Sequence, residues 1–265
     1  MLRRSPFLLL AALGLCLGDP ARSQSVEEIE ACLRANMPEK TAVQTVKLRS
    51  VDRSGGKRTL GAKLYWKRTP EGFSRTLIEV ESPPSDSGSA YLLLERKGGE
   101  DMFIYLPELQ RIRRIHPRTA SGSLFGTDFS YEDVRRLQSI SPERASVERL
   151  PDATLEGRTV SVVRSVPAVT EESPLRYESI VYFVDRESCL PLKIELYGAN
   201  ATLHKVAQAD PTSITRSGKG WVARSVSIRD LENETESEII IEEIELDAEV
   251  HDKVFSVQRL ERRGR

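Results

Sequence analysis

The stretch YLPELQRIRRIHPRTASGSLFGTDFSYEDVRR (residues 105–136) is the most informative part of this 265-residue chain. It runs from an apolar segment typical of a β-strand into an arginine-rich segment, then a Gly/Ser turn, then an aromatic and acidic tail. It contains no nucleophile elbow, metal-binding His pair or phosphate-binding glycine loop. The stretch therefore favours a binding role over catalysis.

The basic part of this stretch places Arg111, Arg113 and Arg114 within four residues, with His116 and Arg118 close behind. In an extended backbone Arg111 and Arg113 point to one face, and Arg114 points to the other. Guanidinium groups hold phosphate and carboxylate in bidentate pairs. The cluster predicts contact with an anionic headgroup or with an acidic partner surface. A solvated strand end and ion pairs with Glu132 and Asp133 are the alternatives.

The Gly/Ser turn carries two aromatic residues, Phe125 and Phe129, on either side of Gly126-Thr127-Asp128. One hypothesis is a lid that covers an apolar cavity. The alternative is a loop that the two rings anchor to an ordinary core.

The rest of the chain alternates apolar and polar residues with a period of two, as in Leu60, Ala62, Leu64 and Trp66. About ten such strands recur with turns between them, which predicts one curved or barrel-like antiparallel sheet. Helices are predicted only over 25–36, from a Ser25/Glu28 capping box, and over 130–137. The fold class is therefore mainly β (α+β), with residues 24–265 as a single domain.

The N-terminus has the features of a cleavable signal peptide over residues 1–23, with Arg3 and Arg4 before a short apolar run and small residues before Gln24. Lipidation at Cys16 and twin-arginine export are two weaker alternatives. We therefore expect the periplasm of a Gram-negative bacterium. The formal charge of −1 does not indicate a nucleic-acid-binding protein.

Cys32 and Cys189 remain after cleavage, and in an oxidising compartment they could form a disulfide or stay as buried thiols. The three histidines, His116, His204 and His251, fall in no metal or catalytic motif. We predict no metal, no cofactor and no enzymatic activity. A hydrolase with dispersed catalytic residues is a rival hypothesis.

Several of these segments resemble the LolA-like outer-membrane lipoprotein-sorting proteins. The matching segments are Asn36-Met37-Pro38, the Leu106-Pro107 strand end with the arginines after it, residues 123–133, Pro191-Leu192-Lys193 and Phe255-Ser256. The resemblance implies a half-open antiparallel barrel, lidded by helices, that holds acyl chains of lipids or lipoproteins. It also implies an inner-membrane transporter partner of the RND, MMPL or Lol type.

The resulting prediction is a monomeric periplasmic carrier whose apolar cavity is lined by Leu64, Trp66, Leu93 and Ile104. It would sort lipoproteins or lipids towards the outer membrane. Arg111, Arg113, Arg114, Phe125 and Phe129 would form the lid or contact the headgroup or partner. The alternative is an accessory subunit that docks to an RND- or MMPL-type transporter without carrying lipid.

Overall fold

The computed structural model describes residues 23–136, 146–167 and 177–262. Most of the signal peptide, including Cys16, and Leu137 at the end of the second predicted helix lie outside these residues. The described helices are α1 (Val26–Ala35), α2 (Tyr131–Arg136) and α3 (Val257–Arg262). The strands are β1 (Thr41–Val51), β2 (Lys57–Arg68), β3 (Ser74–Ser82), β4 (Ala90–Arg96), β5 (Gly99–Leu106), β6 (Arg111–Ile115), β7 (Ser146–Leu155), β8 (Arg158–Val166), β9 (Ser179–Asp185), β10 (Pro191–Tyr197), β11 (Leu203–Ala209), β12 (Ile214–Ser217), β13 (Gly220–Ala223), β14 (Ser225–Asp230) and β15 (Thr235–Leu246).

Thirteen strands form one antiparallel sheet in the order β6-β5-β4-β3-β2-β1-β15-β14-β11-β10-β9-β8-β7. Two meanders, β1–β6 and β7–β11, make the two wings, and β14 and β15 join them in the middle. The predicted mainly β fold with one large antiparallel sheet is confirmed. Within the described residues the two edge strands β6 and β7 do not pair with each other, so the half-open barrel stays a prediction.

Helix α1 begins at the predicted capping box: the Glu28 amide donates to the Ser25 hydroxyl and the Ser25 amide donates to the Glu28 carboxylate. These two bonds satisfy amide groups that the first turn of a helix leaves free. Its apolar stripe packs Ile29, which is fully buried, with Val26 and Leu33 against the wing formed by β7–β10. The stripe predicted from the sequence therefore covers a sheet face, as expected.

One face of the sheet, here called the inner face, carries the side chains of Leu48, Leu60 and Leu64 on the first wing. Residues 116–136, here called the cover segment, pack on it there. The inner face continues across the sheet. Ile239 packs against both the first-wing cluster and the central cluster that contains Ile228. Ile194 in turn packs against that central cluster and against the cluster beneath α1. Helix α1 and the cover segment therefore lie on the same side of the sheet.

The opposite face, the outer face, has its own two covers. On the first wing, Phe255 and Leu260 of the C-terminal segment pack on Leu77 and Leu92. On the second wing, the two-stranded β12–β13 hairpin packs on β8 and β9. Each wing therefore has a cover on part of its inner face and on part of its outer face.

Two segments of the chain have local irregularities. Residues 221–230 form two strands, β13 and β14, which break at Arg224, whose guanidinium Nη1 donates to the carbonyl oxygens of Ile241 and Glu242. Strand β7 contains Pro151 at an edge of the sheet and beside a bulge, and both features tolerate proline. Among the described helices, none combines the length and the apolar character needed to span a membrane.

Candidate functional site

The four residues predicted to line a cavity share the inner face of the first wing. Leu64 and Ile104 lie in one cross-strand row that runs through Ile78 and Tyr91. Trp66 and Leu93 lie in the next row, joined through Thr76. Leu93 and Ile104 are 2% and 6% exposed, Trp66 is 6% exposed, and Leu64 is half-buried. The period-two pattern therefore grouped these residues on one face, although the sequence did not show what covers them.

The cover segment fills the space over this face. Leu124, Phe125 and Val134 are buried in the same apolar cluster as Leu93 and Ile104. The ring of Tyr131 stacks on Tyr91 with 5.3 Å between centroids, and burial raises the pKa of the Tyr131 hydroxyl.

Phe129 sits further along the segment, over Ala207 and Ile228 of the sheet centre. The two phenylalanines singled out in the sequence are thus both seated on the inner face. The structure shows them as the apolar underside of a cover.

Arg58 of β2 holds the cover segment at Phe125. Its guanidinium Nη1 donates to the Phe125 carbonyl oxygen at 2.6 Å, and its Nη2 pairs with the Asp86 carboxylate. Gly126, next in the chain, has φ of +76°, and a Cβ there would lie 2.7 Å from Arg58 Nη1. A side chain at this position would strain the backbone and push the guanidinium away.

Asp128 fastens the middle of the cover segment to β15. Its amide donates to the Ser237 hydroxyl at 2.9 Å, and its carboxylate accepts from the hydroxyls of Ser237 and Thr235. Lys205 of β11, 3% exposed, donates from Nζ to the Asp128 carbonyl oxygen and lies 3.4 Å from Asp133 Oδ2. This buried pair docks the start of α2 on the sheet.

Sequence reasoning did not single out Arg58, Asp128 or Lys205. A signal was present for Lys205, which stands between apolar residues in the strand LHKVAQA, on the side that faces the sheet interior. A lysine at an inward position needs a buried acidic partner, because a buried unpaired charge is costly. The identity of that partner, Asp133, is set by the tertiary fold.

The arginine cluster divides between the two faces as the extended backbone predicts. Arg113 lies across from Ile104 and Arg111 across from Leu106, so both arginines extend the inner-face rows at the sheet edge. Arg114 points to the outer face, where it pairs with Asp101 beside Arg96. No described residue forms an ion pair with Arg111 or Arg113, and Asp133 lies against Lys205 rather than against an arginine of the cluster.

The structure joins Cys32 of α1 to Cys189 by a disulfide, with Cα atoms 5.3 Å apart. Asn36, the C-cap of α1, adds two bonds nearby: its Nδ2 donates to the Ser188 carbonyl oxygen, and its Oδ1 accepts from the Trp221 amide, both at 2.7 Å. The disulfide and these two hydrogen bonds therefore connect α1 to the β9–β10 turn and to β13.

Two clefts of about 740 and 810 Å³ flank the tip of the β1–β2 hairpin. Their walls are mostly polar or charged, and neither includes Leu64, Trp66, Leu93 or Ile104. The first cleft lies beside Arg58, Gly126 and Lys205. It therefore adjoins the part of the cover segment that Arg58 and Lys205 hold.

Catalytic geometry is not evident in the described part of the chain. His116 follows β6, His204 lies in β11, and His251 precedes the C-terminal segment, so the three histidines belong to separate elements. No group of three or more His, Cys, Asp or Glu residues within 23–136, 146–167 and 177–262 is arranged to hold a metal ion. The absence of enzymatic activity stays a prediction.

Comparisons with known proteins agree with this architecture. A structure from Vibrio parahaemolyticus, named for an outer membrane lipoprotein-sorting protein domain, aligns with a TM-score of 0.78 at 21% identity, over 88% of this chain and 97% of that one. A DUF1329 family protein from Desulfovibrio piger aligns with a TM-score of 0.79 at 18% identity, over 89% and 98%. A LolA superfamily protein from Nitrosomonas europaea aligns with a TM-score of 0.70 at 15% identity, over 89% and 100%.

Comparison of the amino-acid sequence, rather than of the structure, identifies a family. No curated protein matches the chain. A family model described as "Uncharacterized protein" matches residues 72–262, which is most of the chain and includes the cover segment. The chain belongs to that family. The predicted resemblance to the LolA-like outer-membrane lipoprotein-sorting proteins is confirmed at the level of the fold.

Proposed function

We propose that this protein is a periplasmic carrier that binds acyl chains of lipoproteins or lipids on the inner face of the first wing. The observation that carries the proposal is an apolar sheet face closed by a segment of the chain whose described backbone-to-backbone hydrogen bonds do not reach the sheet. Leu64, Trp66, Leu93 and Ile104 would contact the acyl chain after the cover segment moves.

The cover segment is fastened by side chains. Its described backbone hydrogen bonds, such as Leu124 N to Phe129 O and Glu132 N to Ala120 O, all run within residues 116–136. Its described side-chain links to the sheet include those of Arg58, Asp128 and Lys205, and apolar packing adds to them. The segment can therefore leave the sheet as a unit without breaking a strand ladder.

Burial of an acyl chain can offset the apolar contacts of Leu124 and Phe125 that are lost when the cover segment moves. Lifting Leu124 and Phe125 from the face costs about 1.5–3 kcal/mol for each side chain. A buried acyl chain returns about 0.8 kcal/mol for each CH₂ group. Roughly eight buried CH₂ groups would offset both side chains, and a membrane-lipid chain has more than that.

Trp66 offers a polar contact on the same face. Its indole Nε1 is buried without a hydrogen-bond partner among the described residues. Buried donors in native proteins nearly always have an acceptor. An ester carbonyl of an acylated ligand would supply one.

Two further features support the cellular role. The Cys32–Cys189 disulfide suits an oxidising compartment such as the periplasm. The similar structures from Vibrio parahaemolyticus and Nitrosomonas europaea are named for lipoprotein sorting and for the LolA superfamily. We propose an inner-membrane transporter of the RND, MMPL or Lol type as the donor of the cargo, with the carrier acting as a monomer.

The first test is native mass spectrometry of the mature protein from a periplasmic extract, with lipid extraction of the same sample. We expect co-purifying lipid or acylated peptide that is released on denaturation. If the protein is free of lipid and also fails to bind added lipid or acylated peptide, the carrier function is wrong.

A second test weakens the fastening of the cover segment. Arg58→Gln removes the charged donor to the Phe125 carbonyl oxygen, so a fluorescent fatty acid should bind several-fold faster. Arg53→Gln is the matched control, because Arg53 pairs with Glu234 at the exposed hairpin tip and does not touch the cover segment. Equal binding rates for the two variants would show that Arg58 does not control access.

The second candidate function is an accessory subunit that docks to an RND- or MMPL-type transporter without carrying lipid. The observation in its favour is that the chain's own Leu124 and Phe125 fill the inner face. This role predicts a lipid-free protein that co-purifies with the transporter. Charge reversal of the exposed arginines of β6 would then abolish the complex.

A further inference from the structure

Strand β6 is an edge of the large sheet, and its arginines differ in their surroundings. Arg114 faces the outer side, where Asp101 neutralises it. Arg111 and Arg113 face the inner side, are exposed, and have no ion-pair partner among the described residues. Residues two apart on one strand face have Cα atoms about 7 Å apart along the strand, and the long arginine side chains can converge from there. That spacing lets both reach one anionic group.

The two arginines stand next to apolar side chains of the inner face. Arg113 lies across from Ile104, and Arg111 lies across from Leu106, which is half-buried against the same apolar cluster. An apolar surface that ends in a pair of cations is complementary to an amphiphile with an anionic head. Charged residues on an edge strand can serve simply to keep the edge from pairing with another strand. That role does not require the arginines of one face alone to be without ion-pair partners.

We propose that Arg111 and Arg113 bind the phosphate headgroup of a lipid whose acyl chains lie on the inner face. This inference rests on the proposed carrier function and narrows its cargo to phosphate-bearing lipids. Guanidinium groups are the side chains best suited to phosphate, because their N–H donors form bidentate pairs with its oxygens. A diacylglycerol-modified cysteine, the anchor of a lipoprotein, carries no phosphate and would gain nothing from these two residues.

The test compares two ligands that differ only in the phosphate. Short-chain phosphatidate and the diacylglycerol with the same acyl groups are titrated into the mature full-length protein by calorimetry at low and high salt. We expect phosphatidate to bind about tenfold tighter at low salt, with the difference shrinking at high salt because salt screens exposed charges. Inorganic phosphate alone should not bind measurably at the same concentrations.

The decisive variant is Arg111→Gln/Arg113→Gln, with Arg114→Gln as the matched control from the same strand. The double variant should bind phosphatidate and diacylglycerol equally, while the control keeps the wild-type preference. All three side chains are exposed, so the thermal midpoints of the variants should match that of the wild type and show that they fold.

The outcomes separate this inference from the carrier function. If phosphatidate and diacylglycerol bind the wild type equally, the headgroup site is wrong while the carrier function stands. If inorganic phosphate binds as well as phosphatidate, the site is an anion site without a lipid role, which also overturns the inference. If neither lipid binds, the carrier function fails and the headgroup site fails with it.

Discussion

The buried Lys205–Asp133 pair gives the sharpest prediction about how the cover segment is held. Lys205 and Asp133 are 3% and 6% exposed, with 3.4 Å between Nζ and Oδ2. Asp133 also accepts from the Ser130 amide at 2.7 Å, and its second carboxylate oxygen is buried with no hydrogen-bond donor among the described residues. The carboxylate therefore depends on Lys205 for neutralisation.

Replacing one member of the pair leaves the other as an uncompensated buried charge. We expect Lys205→Met to lower the free energy of unfolding by about 3–5 kcal/mol. Lys205→Met also removes the donor to the Asp128 carbonyl oxygen, so it should be the more costly single change. Asp133→Asn should cost about 3 kcal/mol, because the amide still bonds locally but leaves the ammonium unpaired.

The double variant Lys205→Met/Asp133→Asn contains neither charge. We expect it to be more stable than Lys205→Met alone, with a coupling energy of about 2 kcal/mol or more. Urea unfolding followed by circular dichroism measures all four proteins. Hydrogen exchange of residues 120–134 should show the loss first in the cover segment. Additive single-variant effects, each below about 1 kcal/mol, would refute the reasoning that this pair docks the segment.

Two further predictions concern the second wing. Cys32→Ala/Cys189→Ala should lower the free energy of unfolding by about 2–5 kcal/mol, because the disulfide closes a loop across a sequence separation of 157 residues. Chemical denaturation should give the same free energy of unfolding for the variant and for reduced wild type. A variant as stable as the oxidised protein would contradict the expectation. Burial alone raises the pKa of Asp185, but hydrogen bonds from Arg158 and Ser188 outweigh it and hold that pKa below its usual value. A depressed pKa stabilises the fold above the unfolded-state value, and this contribution is lost as the pH falls through the folded-state value. Asp185→Asn should therefore cost stability at pH 7, and its difference from wild type should shrink below about pH 4; a difference that is constant from pH 7 to pH 3 would show that the carboxylate charge is not the cause.

Local patterns were enough to predict most of the fold. The alternation of Leu60, Ala62, Leu64 and Trp66 predicted both a strand and the face that these residues share. The Ser25/Glu28 capping box located the start of α1. Such features are visible in the sequence because they depend on neighbours only a few residues away.

The covers of the sheet could not be predicted in the same way. Arg58 meets Phe125 across a separation of 67 residues, and Lys205 meets Asp133 across 72. The sequence showed that Phe125 and Phe129 are apolar residues in a glycine-rich turn, but their places on the sheet follow from long-range packing.

The position of β1 beside β15 has a consequence for the order of folding. Each wing is a meander whose neighbouring strands follow one another in the chain, so each wing can form as soon as its own residues are available. The centre is different, because Thr41–Val51 must pair with Thr235–Leu246, which is synthesised near the end of the chain. Contacts of such high sequence separation are slow to form. An exported chain that enters its compartment N-terminus first would therefore expose β1 as an unpaired strand edge until nearly all of the chain has crossed, and protection from premature association would be needed during that interval.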